Sequence, residues 1–268
     1  MLLKPLIYIS ACITLSLISL SSQATTDTWE LPRRSVGAKS GSAFLSSLQG
    51  LSSGEVENKI FQEIASGNVP RFLRKLLPVK VALKSGGEAT VFVTADYLGV
   101  GDGDDFVRLP MSLDTAQKLA KTSRLSLPNR AIVDAIYNQA SFKLAPKPLP
   151  PIKGLMVQPS YWAKHSELLR SQLKGRIGQL TAGHKKDILL PTSTQDRRLT
   201  IYGWHRGKGR PIQPESRAHG RAYVDYSHGV RLVSDQAIVN GRLVPLQALL
   251  RDANGAHQAY EIDRETLW

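Results

Sequence analysis

Residues 79–94 read VKVALKSGGEATVFVT, and they give the strongest indication of the fold class. Two runs rich in β-branched residues, 79–84 and 89–94, have the length and composition of strands. The sequence SGGE at 85–88 joins them, and a glycine pair between two such runs is typical of a tight hairpin turn. The stretch therefore predicts two antiparallel strands.

Helical patterns flank this hairpin on both sides. On the N-terminal side, Ser53 or Gly54 followed by Glu55 predicts a helix that ends near Ala65, with a short second helix at 71–77. Apolar spacing and capping residues predict further helices at 114–121, 129–140, 160–173 and 245–251.

Short strand-like runs separated by Gly and Pro dominate the C-terminal part of the chain. The runs are 187–190, 199–204, 222–225 and 230–234, with another hairpin turn at 239–242. Residues 143–151 carry four prolines, which predicts an extended connector and a soft domain boundary. We therefore expect an α+β protein with a helix and hairpin region at 54–145 and a β-rich region at 152–268 that bears the site.

Residues 1–24 have the pattern of a secretory signal peptide. Lys4 precedes a mostly apolar stretch at 6–20, and the final triplet SQA predicts cleavage directly after it. The Ser/Gly-rich residues 25–53 then favour a flexible segment. Two alternatives stay open for the leader: an uncleaved membrane anchor, and a lipoprotein processed at the ISAC sequence at 9–12. The prediction is a secreted or periplasmic protein with no transmembrane segment after cleavage.

Composition limits the class of protein and its partners. The chain has 268 residues, of which 42% are hydrophobic and 21% charged, and this excludes disorder as the main state. The formal net charge is +13, and loss of Lys4 with the leader leaves +12, which attracts polyanions. An anionic envelope polymer is the expected partner, and nucleic acid is not, since no recognised binding motif is present. A basic surface that only aids solubility is the alternative.

Cysteine use excludes several kinds of chemistry. Cys12 is the only cysteine of the chain and lies in the predicted leader. The mature protein therefore has no disulfide, no thiolate metal site and no cysteine nucleophile.

Histidines cluster in one part of the chain, where five of the six lie between His165 and His228. Imidazole titrates near neutrality and ligates metals, so several rings that meet in one pocket predict acid–base or metal chemistry. The candidate catalytic residues are His184, Asp187, His205, His219, Asp225, Ser227, His228 and Arg231. Alternatively, each histidine is an independent polar residue of a loop.

The last histidines allow two mechanisms. His219, Asp225 and His228 have an H-x5-D-x2-H spacing, which predicts a catalytic zinc site with an open position for water. Ser227 is a candidate nucleophile. Neighbours in a strand point to opposite faces, so its base would be a histidine other than His228, whereas Asp225 shares its side.

The segment before them suggests supporting roles. His184 and Asp187, three apart, predict a pair in which the carboxylate orients the imidazole, with Lys185 and Lys186 as surface cations or anion contacts. Residues 206–221 alternate basic residues with glycines, which predicts a flexible basic loop that clamps a carboxylate or phosphate. The loop includes Arg206, Lys208, Arg210, Arg217 and Arg221. An exposed charge run without a ligand is the alternative.

The sequence SHGVRL at 227–232 resembles the Ser-His-Gly-Cys-Ile/Val-Arg signature of the L,D-transpeptidases, secreted enzymes that crosslink or trim peptidoglycan through a cysteine thioester. The resemblance implies that His228 is the base and Arg231 the site arginine. Val230 stands at the position of the nucleophile, so the thiol acylation of that family is impossible here.

A broader likeness covers most of the mature chain. Residues 63–74, 183–187, 201–205 and 225–229 resemble stretches of a set of secreted bacterial proteins with no assigned activity. We therefore expect an exported hydrolase or transferase that acts on an envelope polymer such as peptidoglycan through a His/Asp cluster. The alternative is a non-catalytic protein that binds anionic cell-wall material through its basic loop.

Overall fold

A computed structural model of the chain describes residues 28–191, 197–207 and 210–250. Its helices are α1 (Gly41–Ser46), α2 (Ser53–Ala65), α3 (Leu113–Thr122), α4 (Arg130–Gln139), α5 (Pro159–Leu173) and α6 (Gln247–Leu250), with a 3-10 turn at Arg71–Arg74. Its strands are β1 (Leu76–Ala82), β2 (Glu88–Thr94), β3 (Gly99–Gly101), β4 (Phe106–Arg108), β5 (Leu125–Ser126), β6 (Phe142–Lys143), β7 (Thr181–Ala182), β8 (Lys186–Ile188), β9 (Arg198–Arg206), β10 (Arg210–Gly220), β11 (His228–Gly229), β12 (Val233–Val239) and β13 (Arg242–Pro245). The α+β class is confirmed, and strands dominate the C-terminal part.

The first sheet is built on the predicted hairpin. β1 pairs with β2 in antiparallel register from Leu76 opposite Thr94 to Ala82 opposite Glu88, which confirms the turn. The sheet continues in the order β1-β2-β12-β13, with β5 beside β12. Because β12 comes from the C-terminal part, the regions on either side of the proline-rich connector share one sheet.

The second sheet holds most of the candidate site. Its strand order is β10-β9-β8-β11. β11 runs parallel to β8 and places His228 beside Lys186, while β9 runs antiparallel to β8 and places Gly203 on the other side of Lys186. Residues distant in sequence therefore meet across adjacent strands.

The basic loop expected at 206–221 is wrong. Residues 210–220 form β10, an 11-residue strand that pairs with β9 through two register shifts. Pro211 and Pro214 argue against a central strand, but an edge strand tolerates proline because one row of its backbone groups needs no partner. The basic residue Lys208 lies outside the described residues. The strand expected at 222–225 is also wrong, since these residues form a turn and an irregular stretch.

Local signals explain the main helices. The cap of α2 is Ser52, one residue before the expected Ser53, because Ser52 accepts from the Glu55 backbone while the Glu55 carboxylate accepts from the Ser52 backbone. In α4, Asn129 caps the helix and the predicted apolar stripe is buried. The helix expected at 71–77 is reduced to the 3-10 turn, because β1 begins at Leu76 to pair with β2.

The N-terminal segment differs from the flexible 25–53 that the sequence predicts. From residue 28 onward it packs on the domain: Trp29 is buried at 1% exposure, and α1 lies against β3 and β4. Arg34 donates to the side chain of Asn68 at 2.8 Å. The apolar side chains of this segment, too sparse to form a core alone, are covered by the hydrophobic cluster of the rest of the chain. The predicted signal peptide, 1–24, lies outside the described residues.

No helix among the described residues combines the length and the apolar character that crossing a membrane requires.

Candidate functional site

A group of ionisable side chains is buried beside the second sheet. Charged side chains are seldom fully buried unless they are paired, so each member needs a physical account. The members, each no more than 3% exposed, are Asp96, Arg108, His184, Lys185, Asp187, His205, Asp225, His228 and Arg231. Of the predicted catalytic residues, His219 is partly exposed and the others lie in this interior, together with the buried hydroxyl of Ser227.

His228 and Asp225 form the first part of the site. The Asp225 Oδ2 atom lies 3.9 Å from His228 Nε2, and the His228 backbone N–H donates to the Asp225 carbonyl. Neither ring nitrogen of His228 has a hydrogen-bond partner among the described residues. Burial lowers the pKa of His228 to about 4, although Asp225 opposes this shift. The imidazole is therefore neutral at pH 7.

Asp225 is ionised beside it. Burial pushes the pKa of the Asp225 carboxyl upward, but His228 and the hydrogen bond from Ser227 outweigh burial and leave the pKa below its usual value. Ser227 donates to Asp225 Oδ1 through its backbone N–H at 2.6 Å and its hydroxyl at 2.5 Å. Ser227 faces Asp225 because residues 225–227 form a turn, and not through the strand alternation from which the contact was expected. A hydroxyl committed to a carboxylate in this way is not presented to an imidazole base.

His219 is connected to His228 through the ring of Tyr223, which contacts both histidines. The His219 ring stacks on Tyr223 with centroids 3.9 Å apart, and Tyr223 contacts His228 edge-on at 5.6 Å. Within the described ranges, no group of three or more His, Cys, Asp or Glu side chains is placed to hold a metal ion. The two free nitrogens of His228 suit a metal, but His219 is engaged by Tyr223. Zinc at His219, Asp225 and His228 therefore stays a prediction, which elemental analysis of the purified protein would test.

Asp187 and His205 form a second part. The predicted pairing of His184 with Asp187 is wrong, because Asp187 Oδ2 accepts from the Tyr97 hydroxyl at 2.7 Å instead. Burial raises the pKa of Asp187 to about 6, against the opposing charge of Arg231. His205 Nε2 lies 3.8 Å from the Asp134 carboxylate, and its ring stacks on Tyr137.

The backbone of β9 is shaped to bring these groups together. Gly203 has a φ of +110°, and a Cβ atom there would lie 3.4 Å from both Asp187 Oδ2 and His205 Cε1. The next residue, Trp204, has a φ of +57°, a conformation that bulky side chains rarely adopt. Such strain persists only when the surroundings impose it, and it is concentrated at functional sites. This distortion of β9 at Gly203 and Trp204 places the His205 ring beside Asp187.

His184 belongs to a third part with Asp96 and Arg108. Its Nε2 lies 3.1 Å from Asp96 Oδ1, and Arg108 donates to both Asp96 oxygens, at 3.0 and 2.5 Å. Burial pushes the pKa of Asp96 upward, but Arg108 and then His184 outweigh it and hold the pKa well below its usual value. Burial also lowers the pKa of His184 to about 4. Asp96 and Arg108 therefore form a buried ion pair, to which the neutral His184 adds a hydrogen bond.

Arg231, the site arginine implied by the transpeptidase resemblance, also has structural partners. Its guanidinium donates to the carbonyls of Thr94 and Thr181 and lies 4.5 Å from the Tyr97 ring centroid. These contacts join the ends of β2 and β7. The positive charge of Arg231 also acts on Asp187, where it opposes the rise in pKa that burial causes.

Lys185 is the ionisable residue that sequence reasoning misplaced. The sequence GHKKD suggests an exposed basic turn, but Lys185 is 1% exposed and donates to the Tyr226 carbonyl at 2.5 Å. Burial lowers its pKa to about 7, with Arg108 acting in the same direction and Asp225 against it. No local pattern indicates this burial, because the sequence does not distinguish which of the two consecutive lysines points into the interior. Lys186, one position on, keeps its ammonium over the Trp204 ring.

An open groove lies next to the first part of the site. It has a volume of about 810 Å³ and is lined by α1, the start of α2, the N-terminal end of α5 and residues 222–224. Tyr223 both lines this groove and contacts His228. A single ring therefore joins the solvent-facing groove to the buried imidazole.

Comparison of the chain with protein-family models, with curated proteins and with solved structures finds no match in any of the three.

Proposed function

We propose that this chain is an exported hydrolase or transferase that acts on a cell-envelope polymer, with peptidoglycan as the substrate. The observation that supports a catalytic role is the state of His228, fully buried with both ring nitrogens unpaired among the described residues. Leaving a buried polar group unsatisfied costs a fold about 1–3 kcal/mol. Acid–base chemistry is a use that would maintain such a group.

His228 has the protonation state of a base. Its burial keeps the ring neutral at pH 7, and Asp225 is placed to stabilise the imidazolium that forms when the ring accepts a proton. In hydrolysis the proton comes from the attacking water, and in transfer from an acceptor hydroxyl or amine. The ring then returns the proton to the leaving group of the cleaved bond, so that the enzyme ends unchanged.

The groove beside His228 is the proposed path for the polymer. Tyr223 stands between the groove and the imidazole, so the substrate reaches His228 when this ring swings away from His219. The segment that carries Tyr223 has no regular secondary structure, which suits such a movement. The predicted leader, the positive net charge and the SHGVRL resemblance support an envelope substrate.

The test compares two histidines that are equally buried. His165 is 0% exposed and both of its ring nitrogens are also unpaired among the described residues, but the charged groups that act most on its ring are cations, led by Lys185. We expect His228→Gln to lower the release of soluble fragments from dye-labelled peptidoglycan by about 100-fold or more. His165→Gln should keep most of the activity.

Two results would refute the proposal. One is a parent protein that releases nothing from peptidoglycan or from other envelope polymers. The other is a His228→Gln variant that folds, as judged by circular dichroism, and turns over as fast as the parent. Equal losses in both variants would assign His228 a structural role.

A second candidate function is the non-catalytic binding of anionic wall material, and β10 is the observation that favours it. Arg210 and Arg217 are exposed on this edge strand, and Arg198 and Arg206 are exposed on the paired β9. Guanidinium groups along a sheet edge bind carboxylates and phosphates through forked hydrogen bonds.

Salt dependence distinguishes this candidate. Exposed charge contacts are screened, with a Debye length near 10 Å at about 0.1 M salt and near 3 Å at about 1 M. Retention on insoluble wall material should therefore decline steeply over that range. Retention that is unchanged by salt would exclude binding through β10.

A further inference from the structure

The charge inside the groove differs from that of the whole chain. The chain carries +13, but the described residues that line the groove include no lysine, arginine or histidine, and Glu57 is the one charged residue among them. Its carboxylate accepts from the backbone and hydroxyl of Ser112, at 3.1 and 2.6 Å. An anionic ligand would find no cation here and would meet this carboxylate. The groove therefore suits a neutral ligand.

The rest of the wall combines hydroxyl and amide groups with small apolar patches. Ser46, Ser160 and Gln158 supply polar atoms, while Leu48 and Val56 supply apolar surface. A pocket of this kind binds a ligand whose body is partly apolar and whose orientation is set by a few hydrogen bonds. Tyr223 adds an aromatic ring that is partly exposed.

An unpaired donor in the wall points to a ligand oxygen. Trp162 lines the groove and is 3% exposed, and its indole N–H has no acceptor among the described residues. The N-terminus of α5 opens at the same place, and no side chain caps it. The N–H groups of Tyr161 and Trp162 already donate to the Gln158 carbonyl, so the indole N–H is the donor that a ligand carbonyl oxygen would satisfy.

We propose that the groove binds N-acetylated amino sugars of a glycan chain. The acetamido group combines a carbonyl oxygen, which accepts from the Trp162 indole, with a methyl group that fits the apolar wall. The indole N–H is covered by neighbouring atoms, so this bond requires the wall around Trp162 to move when the ligand binds. The inference rests on the proposed function, which is the reason for choosing a cell-wall glycan as the ligand. It places the neutral sugar backbone of that glycan in the groove.

The experiment measures binding, without turnover. Isothermal titration of the purified chain and of its His228→Gln variant uses the tetramer of N-acetylglucosamine, with cellotetraose as the matched sugar that lacks only the acetamido groups. We expect the acetylated tetramer to bind and cellotetraose to bind at least about tenfold more weakly, as the loss of one hydrogen bond and a methyl contact predicts.

A pair of tryptophan variants locates the site. Trp162→Phe removes the indole N–H and should weaken the acetylated tetramer about tenfold. Trp29→Phe is the control, because Trp29 is also buried with an unpaired indole N–H but does not line the groove. Its affinity should match that of the parent.

The outcomes separate this inference from the proposed function. Absence of tetramer binding, equal affinity for cellotetraose, or equal effects of the two tryptophan variants would overturn the inference, even if the protein degrades peptidoglycan. Selective binding in a protein that shows no turnover would support the glycan site and refute the hydrolase.

Discussion

The buried network of Asp96, Arg108 and His184 leads to the sharpest stability prediction. Arg108 is 2% exposed and donates to both oxygens of Asp96, which is 3% exposed. Arg108→Met keeps the volume and the flexible stem but removes the charge. Asp96 is then left as a buried carboxylate whose remaining donors, among the residues that the structure describes, are His184 and the Tyr97 backbone.

The magnitude follows from burial. Breaking a buried ion pair by removing one partner costs about 3–5 kcal/mol, because an uncompensated charge remains in a medium of low polarity. A domain has only about 5–15 kcal/mol of stability, so the loss is a large share. The control is Lys80→Met, which breaks the pair of Lys80 and Glu88 with side chains 66% and 57% exposed. An exposed pair contributes less than about 1 kcal/mol.

The assay is urea unfolding at pH 7, followed by tryptophan fluorescence and by far-ultraviolet circular dichroism. The double variant Asp96→Asn/Arg108→Met should be more stable than Arg108→Met alone, because neutralising Asp96 removes the unpaired charge while Asn keeps an acceptor for Tyr97. The reasoning is refuted if Arg108→Met unfolds within about 1 kcal/mol of the parent. It is also refuted if the second substitution brings no recovery.

Two further predictions concern pH and packing. His184 has a folded pKa of about 4 against an ordinary 6.5, so its neutral form stabilises the fold above pH 6.5 and this contribution is lost as pH falls towards 4. Glutamine does not titrate, so the free energy of unfolding of His184→Gln should not show this loss. In urea titrations, the difference in stability between the parent and the variant should therefore shrink by about 2 kcal/mol between pH 7 and pH 5. A difference that stays constant with pH would contradict the burial of His184. Gly229→Ala would place a Cβ atom 2.6 Å from the Tyr97 ring, whereas Gly220→Ala meets nothing within 4 Å. The first should lower stability by about 1–3 kcal/mol and the second should leave the thermal midpoint nearly unchanged, and equal midpoints would refute the close contact.

Elements defined by near neighbours were predictable from the sequence. The 79–94 hairpin and the helix α2 each carry their own turn or cap, so their bounds are found to within one to three residues. β10 was missed for the opposite reason. Its prolines and arginines give no strand pattern, and its strand conformation depends on hydrogen bonds to β9.

The candidate site was likewise predictable only in part from the sequence. Histidine clustering predicted the region. The contact of Ser227 with Asp225 was expected from strand alternation, but a turn at 225–227 produces it. The partners of His184 and Asp187 were not predictable, because Asp96 and Tyr97 lie about ninety residues earlier in the chain. The groove was missed as well, since its walls come from helices and a turn that no local pattern links.

Residue identity and interactions within a few positions account for the α+β class, the strongly capped elements, the single cysteine at Cys12 and the net charge. Tertiary structure alone decided which of two adjacent lysines is buried, which carboxylate each histidine meets and where a groove opens beside His228. Those outcomes depend on the packing of distant segments, which sets the solvation and hence the protonation of each group.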